Sequence, residues 1–334
     1  MISKQPLVVE VQRGPVVESV HQVMVAVVNE TGGLLHAWGN PQYMTMPRSA
    51  IKMLQALPLI ESGAADKFQL DEKLLALACG SHRGEKDHLS ALSQWCEKCQ
   101  ITEKMFVCGP HLPYNEESAN SFIRLNQKPT ALCNNCAGKH AALIATCLHL
   151  GEDPQGYEKY EHNAQKRLRK ILTETTKYDH GKAPHGVDGC GIPTYAIPLQ
   201  NIATGMATFI NAKESPVRKA ACERLTAAVR NHPFYVSGSG EFTTVVIEKT
   251  QGRAIIKGGA EGVVAGFIPA KKIAFALKVA DGAKRAAQLA AMQLLVQLGG
   301  MSVDEAKSLP EFSQPNVTNW KGEVVGYLRI AKPQ

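Results

Sequence analysis

The sequence predicts an α/β protein of the α+β type, with an antiparallel sheet domain built from both termini and a mainly helical domain inserted between them. Three observations predict it. β-Branched runs crowd residues 1–40. Helix-period apolar patterning fills the middle of the chain, and after Ser237-Gly238-Ser239-Gly240 the strand pattern returns. The division that follows is residues 1–48 with 237–334 for the sheet domain and 49–236 for the helical one, with the active site at their seam.

The elements follow in order. Leu7 to Val11, Val16 to Ser19 and Val23 to Val28 read as strands. Asn29-Glu30-Thr31-Gly32-Gly33 is a turn cluster, and Leu34 to Trp38 resumes the strand pattern, which together make a hairpin signature. From Ser49 to about Arg230 the apolar spacing is mostly helical, broken by loops rich in Gly, Pro and Asn. A helix opens at Ser49, and another runs from Lys139 to Leu150. Phe242 to Ile247, Ala254 to Lys257, Val263 to Ile268 and Ile273 to Val279 read as an antiparallel meander. A helix from about Asp281 to Leu298 follows, and then a strand at Val324 to Arg329.

Composition narrows the function classes. The chain has 334 residues, 44% hydrophobic and 20% charged, an ordinary globular balance with ample length for a core. No apolar stretch reaches the ~18 residues of a membrane-spanning helix, and the first residues lack the pattern of a signal peptide. Nine cysteines are too sparse for a disulfide scaffold and predict free thiols in a reducing cytoplasm, with room for a metal site. The net charge of +7 is dispersed. Its densest run, Lys166 to Lys170, has no interleaved aromatics and reads as a solvated helix face, so no nucleic-acid partner is expected.

Several places carry candidate chemistry. Ser49-Ala50-Ile51-Lys52 puts a hydroxyl and an amine one helical turn apart, where the amine can take the proton that keeps serine a poor nucleophile. On spacing alone, the pair reads first as an N-cap serine followed by a surface lysine. Cys79-Gly80-Ser81-His82 packs small and polar residues into a corner after an apolar run. It offers either a second hydroxyl or a plain helix-ending loop. Lys257-Gly258-Gly259 stands at a strand end where a second backbone can approach, or is a hairpin turn. Cys133-Asn134-Asn135-Cys136-Ala137-Gly138-Lys139-His140 and Asp188-Gly189-Cys190-Gly191 add sulfur, and Cys96 with Cys99 forms a second C-x-x-C pair. The gap from Cys99 to Cys133 exceeds the ~15–20 residues of a zinc ribbon.

In order and together, these motifs resemble the rhizobial-type L-asparaginase II family, which shares a fold with serine β-lactamases and glutaminases. The resemblance begins at Arg13-Gly14-Pro15 and Gly39-Asn40-Pro41, takes in Arg48-Ser49-Ala50-Ile51-Lys52, Ser81-His82 and the Cys133–His140 motif, and ends with Asp188–Pro193, Lys257–Gly262 and Lys278–Gly282. It implies two Ser–Lys pairs, Ser49 with Lys52 and Ser81 with Lys257, Lys278 being the alternative partner of Ser81. It also implies a zinc ion close to the substrate pocket, held by Cys136, Lys139 and Cys190, and a homodimer. For the substrate's charged ends, Arg48 is the candidate for the carboxylate and Asp188 for the ammonium.

The resulting expectation is a cytoplasmic L-asparaginase that hydrolyses L-asparagine to L-aspartate and ammonia. A glutaminase or penicillin-recognising Ser–Lys amidase is the nearest rival. A zinc-dependent binding module built on Cys96, Cys99, Cys133 and Cys136 is the rival from another class.

Overall fold

A computed structural model describes residues 2–213 and 215–331 of the chain. Its strands are β1 (Ile2–Ser3), β2 (Leu7–Arg13), β3 (Val16–Asn29), β4 (Leu34–Trp38), β5 (Met44–Thr45), β6 (His185–Val187), β7 (Pro193–Tyr195), β8 (Ile197–Pro198), β9 (Ile255–Gly259), β10 (Val263–Ile268), β11 (Ile273–Val279), β12 (Asn316–Thr318) and β13 (Val324–Ile330). The helices are α1 (Lys52–Glu61), α2 (Ala64–Lys67), α3 (Glu72–Ala78), α4 (Lys86–Cys99), α5 (Glu116–Arg124), α6 (Ala137–His149), α7 (Asn163–Thr176), α8 (Leu199–Ala207), α9 (Pro216–Asn231), α10 (Pro233–Ser237), α11 (Phe242–Lys249), α12 (Lys284–Gln297), α13 (Val303–Lys307) and α14 (Pro310–Ser313). The chain divides into two compact units, Met1–Ala50 with Ile197–Asn211 and Lys249–Gln334, and Ile51–Ala196 with Ala212–Glu248.

The first unit is built on a sheet in the order β12-β13-β2-β3-β11-β10-β9, with β4 on β3 and β1 on β4. Every pairing is antiparallel except the short β1–β4 contact. β3 is long enough to pair with β2 through Val16–Val23 and with β11 through Val23–Asn29. Its second half, Val23 to Val28, is buried throughout, which explains the continuous apolar run there. The polar His21 and Gln22 do not end the strand as the sequence pattern suggests. His21 is absorbed by a hydrogen bond to Asp281 at 2.6 Å, and Gln22 faces outward.

All six residues of β10 are buried, so both faces of the sheet are covered. α8 packs on β3, β10 and β11, where Phe209 just beyond it stacks on Phe267. α12 packs on β2, β3, β10, β11 and β13. The rim is wetter, and Trp320, in the turn between β12 and β13, is fully exposed.

The second unit is helical around α6, whose residues Ala137 to Cys147 are all buried. α1, α2, α3, α4 and α7 pack around it. Gly138 allows the tightest approach, since a Cβ there would collide with the Leu77 carbonyl of α3. Trp95 of α4 is fully buried in this unit.

Two further details differ from the sequence expectation. Phe242 to Ile247 is not a strand but the body of α11, where Phe242, Val246 and Ile247 are buried and the Thr244 hydroxyl donates to the Pro233 carbonyl at 3.2 Å. Burial of that face outweighs the β-branched propensity of the run. The division at 48/49 and 236/237 also differs from the two units. Residues 197–211 go with the sheet because α8 buries its apolar face there, and 212–248 go with the helices.

Candidate active site

The loop bearing Ser49 is shaped by two local constraints. Arg48 has φ +49°, a left-handed conformation unfavourable for a residue with a Cβ, and it opens a 3₁₀ turn at Arg48–Ile51. That turn runs without a break into α1 at Lys52. Beside it lies the end of β9. A Cβ on Gly259 would sit 2.8 Å from the Pro47 carbonyl and 3.0 Å from the Ala50 nitrogen, so only glycine allows this approach. The Lys257-Gly258-Gly259 segment therefore lies against the Ser49 turn within the sheet unit. Lys257 is buried, and its Nζ donates to the Gly258 carbonyl at 2.7 Å. Lys278, the alternative, is half-buried and donates to the carbonyls of Glu261 and Val279, both at 2.6 Å. Burial lowers its pKa against the pull of Glu261 and Asp281.

The helical unit gathers its groups around Lys52, which is 1% exposed. Its Nζ lies 2.5 Å from the Gly80 carbonyl, 3.0 Å from Ser81 Oγ and 3.5 Å from the Asn135 carbonyl. The corner at Gly80 is tight, because a Cβ there would meet the Tyr235 carbonyl at 2.6 Å, and the Ser81 N–H donates to the Val236 carbonyl at 2.8 Å. The expected partner of Lys52 was Ser49; the fold brings Ser81 to this amine. The two carbonyl partners had no signature in the sequence, because any residue type supplies a backbone oxygen. His82, next to Ser81, is fully buried and stacks on His88 at 5.3 Å. Burial is the first cause that holds its pKa well below the usual histidine value.

A second cluster adjoins the first. Cys136 precedes α6, Lys139 lies in its first turn and Cys190 comes from the loop before β7; all three are buried. Lys139 Nζ donates to Cys190 Sγ at 2.9 Å. The Cys136 thiol has a lowered pKa, first because Cys190 donates a hydrogen bond to it and then, against burial, because Lys52 and Lys139 lie near. Cys190 is raised for the same reason, as the donor of that bond. Burial acts to lower the pKa of Lys139, and the two sulfurs reverse this and raise it. Two sulfurs and an amine are donors that suit zinc, so this set fits the metal that the sequence resemblance implies. Among the described residues, no group of three or more His, Cys, Asp or Glu side chains could hold a metal, so a site here depends on the lysine. That also weighs against a four-cysteine site built on Cys96, Cys99, Cys133 and Cys136.

Of the two residues expected to hold substrate, Arg48 is half-buried on the Ser49 turn. Asp188 folds back on its own loop, where its Oδ1 accepts the Gly189 N–H at 2.7 Å, and its charge helps raise the pKa of Lys139. The helical unit thus brings together Lys52, Ser81, Cys136, Lys139 and Cys190, with Asp188 at the edge. In the sheet unit, Gly259, two residues after Lys257, packs against Pro47 and Ala50, which flank Arg48 and Ser49. No helix among the described residues is long and apolar enough to cross a membrane.

No curated protein matches this chain. Among solved structures, 17 chains match. One is a putative beta-lactamase from Bacteroides dorei DSM 17855, with a TM-score of 0.42 and 12% identity over 77% of this chain and 84% of that one. The L-asparaginase II family matches residues 9–330, nearly the whole length, and the chain belongs to that family of asparaginase-type hydrolases.

Proposed function

We propose that the protein is an L-asparaginase that hydrolyses L-asparagine to L-aspartate and ammonia, with Ser49 as nucleophile and Lys52 as its proton acceptor. The observation that carries this reading is the buried Lys52 amine, three residues after Ser49 on one helical run and bonded to Ser81 Oγ at 3.0 Å. In the proposed reaction, Ser49 Oγ attacks the side-chain amide carbon and Lys52 Nζ takes the hydroxyl proton. Backbone N–H groups at Ser49 and after Lys257 stabilise the oxyanion. Ser81 passes the proton from Lys52 to the leaving nitrogen, with Lys257 as its second partner. Water then releases aspartate from the acyl-enzyme, with Lys52 again as base. Arg48 and Asp188 are the proposed partners of the substrate carboxylate and ammonium.

Cys136, Lys139 and Cys190 are the residues that would hold zinc. When bound there, zinc supplies a fixed positive charge and rigidity beside the pocket. The nucleophile comes from Ser49 in either case. Ammonia release from L-asparagine tests the proposal. The wild type should turn over and Ser49→Ala should lose at least about 10³-fold in kcat, as removal of a covalent nucleophile does. A wild type that releases no ammonia, or a Ser49→Ala protein with full rate, overturns it.

A further inference from the structure

A trans peptide is planar, so its C=O and N–H point in opposite directions, and fixing one aims the other. Two of the three oxygens around Lys52 Nζ belong to peptides fixed in this way. In the Gly80–Ser81 peptide, the Ser81 N–H donates to the Val236 carbonyl at 2.8 Å, and the Gly80 carbonyl on the opposite side meets the amine at 2.5 Å. The Asn135–Cys136 peptide is fixed by a side chain instead. Asn134 Oδ1 accepts the Cys136 N–H at 2.9 Å, and the Asn135 carbonyl of that same peptide lies 3.5 Å from Lys52 Nζ. The Asn134 side chain is itself held. It is 5% exposed, and its Nδ2 donates to the Cys108 and Gly109 carbonyls at 2.8 and 2.9 Å. These partners allow one orientation of the amide, since the N–H must meet its oxygen and the two carbonyls must meet its amino group. Residues 107–109 are pinned in turn by Tyr157, whose hydroxyl accepts the Val107 N–H at 3.3 Å and lies 2.5 Å from His140 Nδ1 in α6.

We propose that Asn134 is a positioning residue for Lys52: by accepting the Cys136 N–H, it turns the Asn135 carbonyl of the same peptide toward the Lys52 amine. The inference rests on the asparaginase reading above for its catalytic consequence, though not for the contact itself. The Gly80 carbonyl and Ser81 Oγ reach Lys52 from one loop, and the Asn135 carbonyl reaches it from another. Without the second loop's oxygen, the amine is free to turn about the first. The Asn135 contact is the longest of the three, so the expected loss of rate is a few-fold, and it falls on kcat because a misplaced reacting group costs rate more than binding.

The test compares wild type with Asn134→Ala and Asn134→Ser. Both variants lose the two donors to residues 108 and 109, but the serine hydroxyl can still accept the N–H two residues on. Ammonia release, thermal midpoint and hydrogen exchange of the peptide covering residues 133–138 are measured on the full chain. The midpoints of the two variants should fall together. Asn134→Ala should lower kcat about three- to tenfold with KM changed less than about twofold, while exchange at Cys136 quickens. Asn134→Ser should keep the protection and stay within about twofold of the wild-type kcat. Turnover thus follows protection of the Cys136 N–H and not thermal midpoint, which a merely structural role does not predict. An Ala variant with wild-type kcat, a Ser variant as slow as Ala despite retained protection, or a kcat that tracks the midpoint overturns the proposal. If Asn134→Ala does not fold, Asn134→Ser decides: exchange and kcat that move or hold together support the proposal, and faster exchange at unchanged kcat overturns it. Equal exchange in all three proteins overturns the Asn134 contact whatever the turnover, whereas a wild type without turnover overturns the asparaginase reading.

Discussion

Around single residues, the chemistry is set by which groups surround an amine. Lys52 was marked in the sequence by its spacing from Ser49, and the structure buries it. The Gly80 and Asn135 carbonyls were not legible, since residue type says nothing about where a backbone oxygen ends up. Ser81 lay between these cases: its motif marked it, but only the fold brings its hydroxyl to Lys52. Cys136, Lys139 and Cys190 invite a measurement of their own. Lys139 must lose its proton to become a ligand, and so must the Cys190 thiol, both of which have raised pKa values. Proton and metal therefore compete, and zinc retention should rise with pH between 6 and 8. Metal analysis after dialysis against a weak chelator checks this. Cys136→Ser should lose the metal, and Cys96→Ser or Cys99→Ser should keep it, since those thiols sit in α4 with pKa values pushed up to about 11 and 12, in both cases chiefly by burial.

Among the elements, α6 and α3 matter most, because their contact sets where the Cys136–Lys139 turn stands. Gly138 lies where a methyl group would strike the Leu77 carbonyl, and a helix interior otherwise disfavours glycine by ~0.5–1 kcal/mol. Gly138→Ala should therefore destabilise the protein by about 1–3 kcal/mol despite its better helix propensity, and thermal melts followed by circular dichroism check it. An unchanged or higher midpoint would mean that the two helices separate without cost. Periodicity predicted α6 and α12 closely, because each keeps a strong apolar pattern over several turns. α11 escaped it: a short β-branched run fits either state, and burial decided. β3 was read as two strands, Val16 to Ser19 and Val23 to Val28, while the hydrogen bond between His21 and Asp281 lets the strand continue.

At the scale of the whole molecule, acid sensitivity follows from histidines kept neutral inside. His82, His88 and His180 are fully buried, and burial first of all lowers each pKa below the usual 6.5. Below about pH 6.5 the unfolded chain takes up protons on these rings while the folded chain does not. Stability is then fully present above pH 6.5 and falls as the pH drops. Each ring adds a slope of up to about 1.4 kcal/mol per pH unit. Thermal midpoints measured from pH 8 to pH 5 should decline only in the lower half of that range, and a flat profile would contradict neutral buried rings. The sheet-plus-helices plan was legible because strand and helix periods occupy separate stretches of chain. The excursion of 197–211 into the sheet unit was not, since a helix carries no mark of the surface it will cover. Of the three tryptophans, Trp95 lies in the helical unit, and half-buried Trp38 and exposed Trp320 lie in the sheet unit. The enclosed indole should emit in the blue and resist acrylamide, whereas the solvated one should emit in the red and be quenched at once. With the red component silenced, and with Trp38 of the sheet unit replaced by Phe, denaturation of the helical half can be followed by light alone.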